Sequence, residues 1–198
     1  MPNHVTNELT TAKYILDSLK GGESELDFET VVPMPEILKG SPHSGIIEWA
    51  EIAMGVINMS TLSAPTPDPV AAFKQQDYGA ASLRLKQANA IRAMQQGPYP
   101  IDYSDDDFEQ LIRCMRGLKQ YGNPSWYEWA KVNWGTKWNA YGIDEGGKYA
   151  SIAYTDDTLT LTFQTAWAPP YPWIAALFNF FKLPIEHNWF DEGDSEGW

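Results

Sequence analysis

NPSWYEWAKVNWGTKWNAYG, from Asn123 to Gly142, is the stretch that decides the fold of this chain. It places four of the nine tryptophans within thirteen residues, with tyrosines beside them. Each large aromatic side chain buries roughly 150–250 Å² when it is packed. The stretch therefore predicts an aromatic anchor of the core, and a binding site on exposed ring edges is the alternative.

The same stretch carries the signals of a short helix. Ser125 and Glu128 stand at capping-box spacing after a proline, which predicts a helix start, and Gly135 predicts its end. Side chains three and four residues apart share one face of a helix. The residues expected on the apolar face are Trp126, Ala130 and Trp134, flanked by Trp129 and Val132. Trp138 then falls on the following turn.

Alternating apolar and polar residues predict five strands around this stretch. The clearest are residues 4–10, with Val5, Asn7 and Leu9 inward, and residues 158–164, with Leu159, Leu161 and Phe163 inward. Weaker patterns cover residues 26–33, 150–154 and 185–189. Helical spacing after the first strand and between the last two gives a β-α-β opening and a β-β-α-β end. This order is consistent with a split βαβ sheet.

The middle of the chain reads as helical. Ile46, Ala50 and Ala53 keep helical spacing, and Ser104 with Asp107 three residues later predicts the start of another helix. We therefore expect three parts: residues 1–33 with the first β-α-β part of the sheet, residues 34–122 as a helical insertion, and residues 123–198 with the tryptophan-rich helix and the remaining β-β-α-β.

Several strings resemble the YubB-like family of phages and plasmids. They are WYEWAKVNWGTKWNAYG, FQTAWAPPYPWIAAL and FDEG, and the segments MPNHVTNELT and FETVVPMPEIL fit the same pattern. The chain departs from many relatives at His4, where an aromatic residue is expected. The resemblance implies a ferredoxin-like domain and a mobile-element setting, with no established activity. The expected fold class is α+β: a ferredoxin-like antiparallel sheet with a large helical insertion.

Composition restricts the kinds of partner. The formal net charge is −12, which disfavours unspecific binding to phosphate backbones and is compatible with a basic protein partner or with solubility alone. The single cysteine, Cys114, excludes an internal disulfide and is expected to be a core thiol. No run approaches the roughly 18–20 apolar residues of a membrane span, and no signal segment opens the chain. We expect a cytoplasmic protein of the host cell that binds neither membrane nor nucleic acid.

The sequence contains no motif for catalysis, metal binding or a cofactor. Walker, dinucleotide-binding, HExxH and paired CxxC patterns are missing, and the three histidines are scattered. His187 falls on the apolar side of its strand, which favours a hydrogen-bonded core histidine. Asp191, Asp194 and Glu196 could offer oxygens to a hard cation, but their spacing matches no known loop. We assign no catalytic residue, no metal site and no cofactor.

Two turn-like segments remain as candidate binding sites. Trp138 with Asn139, and Trp167, could present ring edges and an amide to solvent, with Asp191, Glu192 and Asp194 at the rim. The hypothesis is a phage or plasmid accessory protein that binds a host or mobile-element protein, for example in anti-defence. An enzyme with a carboxylate-containing pocket near Lys137 or a histidine is one alternative, and a structural or assembly protein is another. The oligomeric state stays open.

Overall fold

A computed structural model describes residues 3–40, 44–53, 104–143 and 149–193. The chain forms two compact units, one made of Met1–Pro35 with Tyr127–Trp198 and the other of Glu36–Trp126. The predicted rim residue Asp194 lies outside the described residues. No helix in the described ranges is long and apolar enough to cross a membrane.

The first unit contains a four-stranded antiparallel sheet. Its strands are β1 (His4–Ala12), β2 (Ser151–Tyr154), β3 (Thr158–Ala166) and β4 (Glu186–Asp191). They are ordered β2-β3-β1-β4, with His4 opposite Ala166 and Val5 opposite Asp191. The start of β1 and the ends of β3 and β4 therefore share one end of the sheet. This is the strand order of the split βαβ sheet, and the predicted fold class is confirmed.

One face of the sheet forms the core, as the period-two pattern predicts. Leu9 in β1 and Leu161 and Phe163 in β3 are fully buried. Over them lies a helix between β3 and β4, Tyr171–Phe181, which buries Trp173 and Leu177. Apolar side chains from consecutive elements thus fill one layer between sheet and helix.

The predicted strand at residues 26–33 is wrong. The segment forms a 3-10 turn at Phe28–Thr30 instead. The Asp27 side chain accepts a hydrogen bond from the Glu29 amide at 2.9 Å, and the Thr30 hydroxyl donates to the Asp27 carbonyl at 2.7 Å. These local bonds close a turn in place of a strand ladder. The alternation still marked burial, since Leu26 and Phe28 are fully buried.

The predicted first helix after β1 is also shorter and tighter than expected, a 3-10 helix over Lys13–Ser18. The opening of the sheet domain therefore contributes one described strand and two 3-10 turns. This segment is attached to the core by packing rather than by strand pairing, because the Phe28 ring stacks on Trp173 at 4.3 Å and meets Phe163 edge-on at 6.0 Å. The buried Trp173 indole donates to the Phe28 carbonyl at 3.2 Å.

The second unit is helical in its described part. Its helices are α1 (Ser44–Ala53) and α2 (Asp105–Tyr121), which pack against each other, after a short 3-10 turn at Glu36–Leu38. The predicted start of the second helix is confirmed by a capping box: the Asp107 amide donates to the Ser104 hydroxyl, and the Ser104 amide donates to the Asp107 carboxylate at 2.8 Å. Cys114 is buried in this helix, as expected.

The tryptophan-rich helix forms as α3 (Trp126–Asn133), and the helix between β3 and β4 is α4. Trp129 and Trp134 are buried and meet edge-on at 5.4 Å, whereas Trp126 is half-buried. The Trp134 indole donates to the Val32 carbonyl at 2.9 Å. Gly135 follows with a φ of 86°, the left-handed conformation that ends the helix as predicted.

Candidate functional site

Two turns lie side by side at the end of the sheet where β1 begins, one after α3 and one after β3. The Thr136 hydroxyl donates to the Ala166 carbonyl at 2.8 Å and accepts from the Ala166 amide at 3.1 Å. Both residues are buried. This reciprocal pair holds the next residue of each turn, Lys137 and Trp167, next to each other.

The Lys137 ammonium lies among three aromatic rings. It is 4.4 Å from the ring centroid of Trp138, 4.9 Å from that of Trp167 and 5.9 Å from that of Tyr127. All three distances are within the roughly 6 Å reach of a cation–π interaction. Tyr127 and Trp167 meet edge-on, at 6.2 Å and 89°. We call Tyr127, Lys137, Trp138 and Trp167 the lysine–aromatic cluster.

The cluster is open to solvent. Trp138 is 39% exposed and Trp167 is 47% exposed, although both are large apolar side chains. Within the described ranges no carboxylate forms an ion pair with Lys137. Among the described residues the ammonium is thus held by rings rather than by an acidic side chain, and it contacts both tryptophans that were predicted as binding residues.

The Trp167 backbone is fixed by a buried polar network. Its φ of 72° is left-handed, which costs a residue with a side chain of order 1–3 kcal/mol. The Trp167 amide donates to the Asn3 carbonyl at 3.0 Å. Below it, the Asn7 side-chain amide donates to the Thr165 hydroxyl at 2.9 Å, and that hydroxyl donates to the Ala168 carbonyl at 2.8 Å. The surrounding bonds thus impose the turn that presents the Trp167 ring.

The Asn139 side chain, which the sequence predicts as a binding group, forms hydrogen bonds within the sheet-containing unit. Its side-chain oxygen accepts from the amides of Phe28 and Ala140, each at 2.8 Å. Its side-chain nitrogen donates to the Asp27 carboxylate at 2.6 Å. The amide is committed to these partners inside the unit, so Asn139 positions the turn that carries Trp138.

Two of the predicted rim carboxylates lie at the same end of the sheet. Glu192 accepts a hydrogen bond from the His4 amide at 2.8 Å. Asp191 is within 3.5 Å of the Asn3 side-chain amide, and the Asn3 carbonyl is the acceptor for Trp167. The start of β1 therefore links both carboxylates to the lysine–aromatic cluster.

A tyrosine–histidine contact joins the cluster to this acidic edge. The Tyr141 hydroxyl is 2.7 Å from His4 Nδ1 and donates to the Thr165 carbonyl at 3.1 Å. Burial, with the Glu192 charge adding, raises the pKa of Tyr141 to about 12. The Tyr141 ring meets Trp138 edge-on at 6.4 Å. Tyr141 is thus a neutral hydrogen-bonding group that connects Trp138 to β1.

The remaining candidate side chains give little support for chemistry. Among the residues that the structure describes, no group of three or more His, Cys, Asp or Glu could hold a metal ion. His187 Nε2 is 3.0 Å from the side-chain oxygen of Asn7, so that nitrogen carries a proton. Burial lowers the pKa of His187. His187 is hydrogen-bonded as predicted, but it is half-buried rather than in the core.

Sequence reasoning missed Tyr127, Thr136 and Tyr141 as parts of the site. Tyr127 is on the first turn of α3, where spacing gives no reason to prefer it over its neighbours. Thr136 had one weak signal, since it is a polar residue placed directly after the glycine that ends α3. Tyr141 joins the site through an isolated bridge to Gln164, a pairing that a local pattern cannot reveal.

Residues 133–197 match the family model described as a ferredoxin-like domain in Api92-like protein. The chain contains a ferredoxin-like domain. The match spans Lys137, Trp138 and Trp167 together with β2, β3, α4 and β4. No curated protein and no solved structure matches the chain. The description of the matched family names a fold and gives no activity.

Proposed function

We propose that this chain is a protein-binding module and that the lysine–aromatic cluster is its contact surface. The observation that carries the proposal is the pairing of Trp138 and Trp167, which are remote in sequence, exposed, and held together by Lys137 and a buried hydrogen-bond pair. Rigid aromatic anchors of this kind supply much of the binding energy in protein interfaces.

The support comes from the cost of the arrangement. A left-handed Trp167 backbone and an indole that is half-exposed both oppose folding. Trp173 in the same unit is completely buried, with its indole hydrogen bonded. The fold thus buries Trp173 completely but leaves Trp138 and Trp167 exposed beside each other. Tryptophan is enriched at the centres of interfaces.

Charge indicates the class of partner. Asp191 and Glu192 flank the cluster through β1, and the chain has a net charge of −12. Complementary charges at a rim steer association and suppress wrong partners. We therefore propose a partner with a basic surface.

The resemblance to the YubB-like family supplies the setting of the proposal. A chain carried by phages or plasmids would meet its partner in the host cytoplasm, and that partner would be a host or mobile-element protein. Anti-defence, in which the module occupies a host protein, is one role of this kind. The family match contributes the ferredoxin-like fold alone.

An enzymatic role is the second candidate, and the contact between Tyr141 and His4 is the observation that favours it. The two side chains lie 2.7 Å apart beside Glu192. However, a general acid works best with a pKa near the working pH. A tyrosine with a pKa of about 12 keeps its proton at neutral pH, so the contact fits a positioning role better.

Comparative affinity capture tests the proposal. The tagged chain, a Trp138→Ala/Trp167→Ala variant and a Trp189→Ala control are each exposed to lysate of the native host, and retained proteins are quantified by mass spectrometry. Trp189 is a suitable control because it is 42% exposed and its indole contacts Tyr171, not the cluster. We expect one partner to be retained by the parent and control and lost by the double variant. Equal recovery by all three, with circular dichroism unchanged, would refute the proposed surface.

A further inference from the structure

We infer that the lysine–aromatic cluster is a cage for a cationic side chain of the partner, and that Lys137 fills this cage in the free protein. The inference rests on the proposed function and deepens it. It names the ligand group as the ammonium or guanidinium of a basic protein segment. Lys137 would then be an internal substitute for the ligand.

The geometry of the rings fits a cation. Three ring centroids lie 4.4, 4.9 and 5.9 Å from one ammonium. Two of the walls, Tyr127 and Trp167, stand at 89° to each other. Ring faces carry the negative part of the aromatic quadrupole, so walls turned around one point favour positive charge there.

The surroundings favour a basic occupant over an acidic one. Asp191 and Glu192 lie at the same end of the sheet. Asp191 contacts Asn3, whose carbonyl accepts from the Trp167 amide, and Glu192 contacts His4, whose ring contacts Tyr141. A carboxylate ligand would gain from Lys137 but would face these two charges and the net charge of −12. A partner's lysine or arginine gains from both the rings and the carboxylates.

Lys137 can leave while the rings stay. In the described part of the chain the ammonium has ring contacts and no carboxylate partner, and its stem is long and flexible. The backbone beneath it is fixed by the pair formed by Thr136 and Ala166. The Trp167 turn is fixed independently through Asn3 and Thr165. An incoming cation therefore displaces one side chain, and the cage does not have to be rebuilt.

The test uses tetramethylammonium as the probe and tert-butyl alcohol as its neutral counterpart. Binding is followed by nuclear magnetic resonance through the indole N–H signals of Trp138 and Trp167, assigned with alanine variants. Lys137→Met empties the cage, and Lys137→Arg keeps it filled. Lys131→Met is the charge-matched control, because Lys131 contacts the single ring of Tyr127 at 5.1 Å. Exposed cation–π contacts are worth enough that emptying the cage should tighten binding of the probe by about 2- to 5-fold.

We expect Lys137→Met to bind tetramethylammonium more tightly than the parent, Lys131→Met and Lys137→Arg, and none of the four to show the same shifts with the alcohol. The inference is overturned if Lys137→Met gains nothing over Lys131→Met, or if the cation shifts neither indole in any variant. It is also overturned if acetate shifts both indoles of the parent and Lys137→Met abolishes that response, because the site would then bind anions.

Failure of this inference is distinguishable from failure of the proposed function. If the Trp138→Ala/Trp167→Ala variant loses the partner while Lys137→Met gains no cation affinity, the surface stands and the cage is wrong. If Lys137→Met gains cation affinity while the Trp138→Ala/Trp167→Ala variant retains the partner, the cluster binds cations but is not the surface that binds the partner.

Discussion

Two pairs of tryptophans in the sheet-containing unit show how differently one residue type is used. Trp129 and Trp134 are almost fully buried and meet each other edge-on. Trp138 and Trp167 are 39% and 47% exposed and meet a lysine. The first pair includes an indole that donates to the Val32 carbonyl. Burial and internal hydrogen bonding mark the first pair as core, and exposure around a shared cation marks the second as a surface.

The difference lies in what holds each pair. Trp129 and Trp134 are positioned by their own packing within and after α3. Trp138 and Trp167 are positioned by the backbone of two turns, which the Thr136 pair and the Thr165 network fix from below. Removing a ring from the first pair should therefore damage the fold, whereas removing one from the second should leave it intact.

The largest expected effect is on stability. Trp129→Ala should lower the free energy of unfolding by about 3–5 kcal/mol, because it leaves a cavity in the core. Trp138→Ala should lower it by less than about 1 kcal/mol, the size of an exposed cation–π contact. Chemical denaturation monitored by circular dichroism measures both. Similar losses for the two variants would contradict the division into core and surface pairs.

A smaller loss is expected where the exposed pair is supported. Thr136→Val removes a buried hydroxyl that both donates to and accepts from Ala166, and leaves two backbone groups unpaired. We expect a loss of about 1–3 kcal/mol in unfolding free energy and a shift of the Trp167 indole signal.

Thr160→Val is the matched control for that change. Its hydroxyl is 3.0 Å from that of Thr10, in a half-buried position on the other face of the sheet. The support proposed for the exposed pair is disproved if Thr136→Val costs no more stability than Thr160→Val and leaves the Trp167 signal in place.

Alkaline pH should lower the free energy of unfolding through Tyr141, whose ring contacts Trp138 of the exposed pair. The pKa of Tyr141 is raised from 10.0 to about 12, so folding favours its neutral form. This contribution is complete below pH 10 and is lost as the pH rises through about 12, because the unfolded chain releases the proton first. Tyr141→Phe should have a shallower decline in unfolding free energy over this interval. The same pH dependence of the unfolding free energy in the parent and the variant would show that Tyr141 makes no pH-dependent contribution to stability.

The smallest expected effect concerns the rate of association. Replacing Asp191, Glu192 and Asp194 with the matching amides should slow association with a basic partner a few-fold at low salt and reduce its salt dependence. A control with Asp156→Asn, Asp157→Asn and Glu186→Gln removes the same charge near the opposite end of the sheet. Surface plasmon resonance at several salt concentrations compares them. Equal slowing of association by both sets of changes would show that only the net charge of the chain matters, and that its position at the rim does not.

The sequence predicts most of the sheet because strand burial repeats every two residues. Leu159, Leu161 and Phe163 follow that period and are all fully buried. The pattern fails at residues 26–33, where Asp27 and Thr30 form local bonds that compete with a ladder. Alternation reports which residues are buried, and it cannot distinguish a paired strand from a tight turn that buries the same side chains.

The candidate site was only partly predictable for a related reason. Trp138 and Trp167 stand out because both tryptophans fall on turns, and turns lie at the surface. The ring of Tyr127 and the ammonium of Lys137 join them through tertiary contacts, and those to Trp167 link segments that are remote in sequence. Asn139 was expected to face a partner, but its amide is held by Asp27 and Phe28 from the misassigned strand.

The dissociation rate of a recovered partner tests the central claim most directly. It is measured for the parent, for Trp138→Ala/Trp167→Ala and for Trp189→Ala, with unfolding midpoints recorded for each. Because central aromatics hold a complex together, we expect the double variant to dissociate about tenfold faster or more, with its midpoint close to that of the parent. Trp189→Ala should dissociate at the parental rate. An unchanged dissociation rate in the double variant would contradict the claim that this exposed pair is the binding surface.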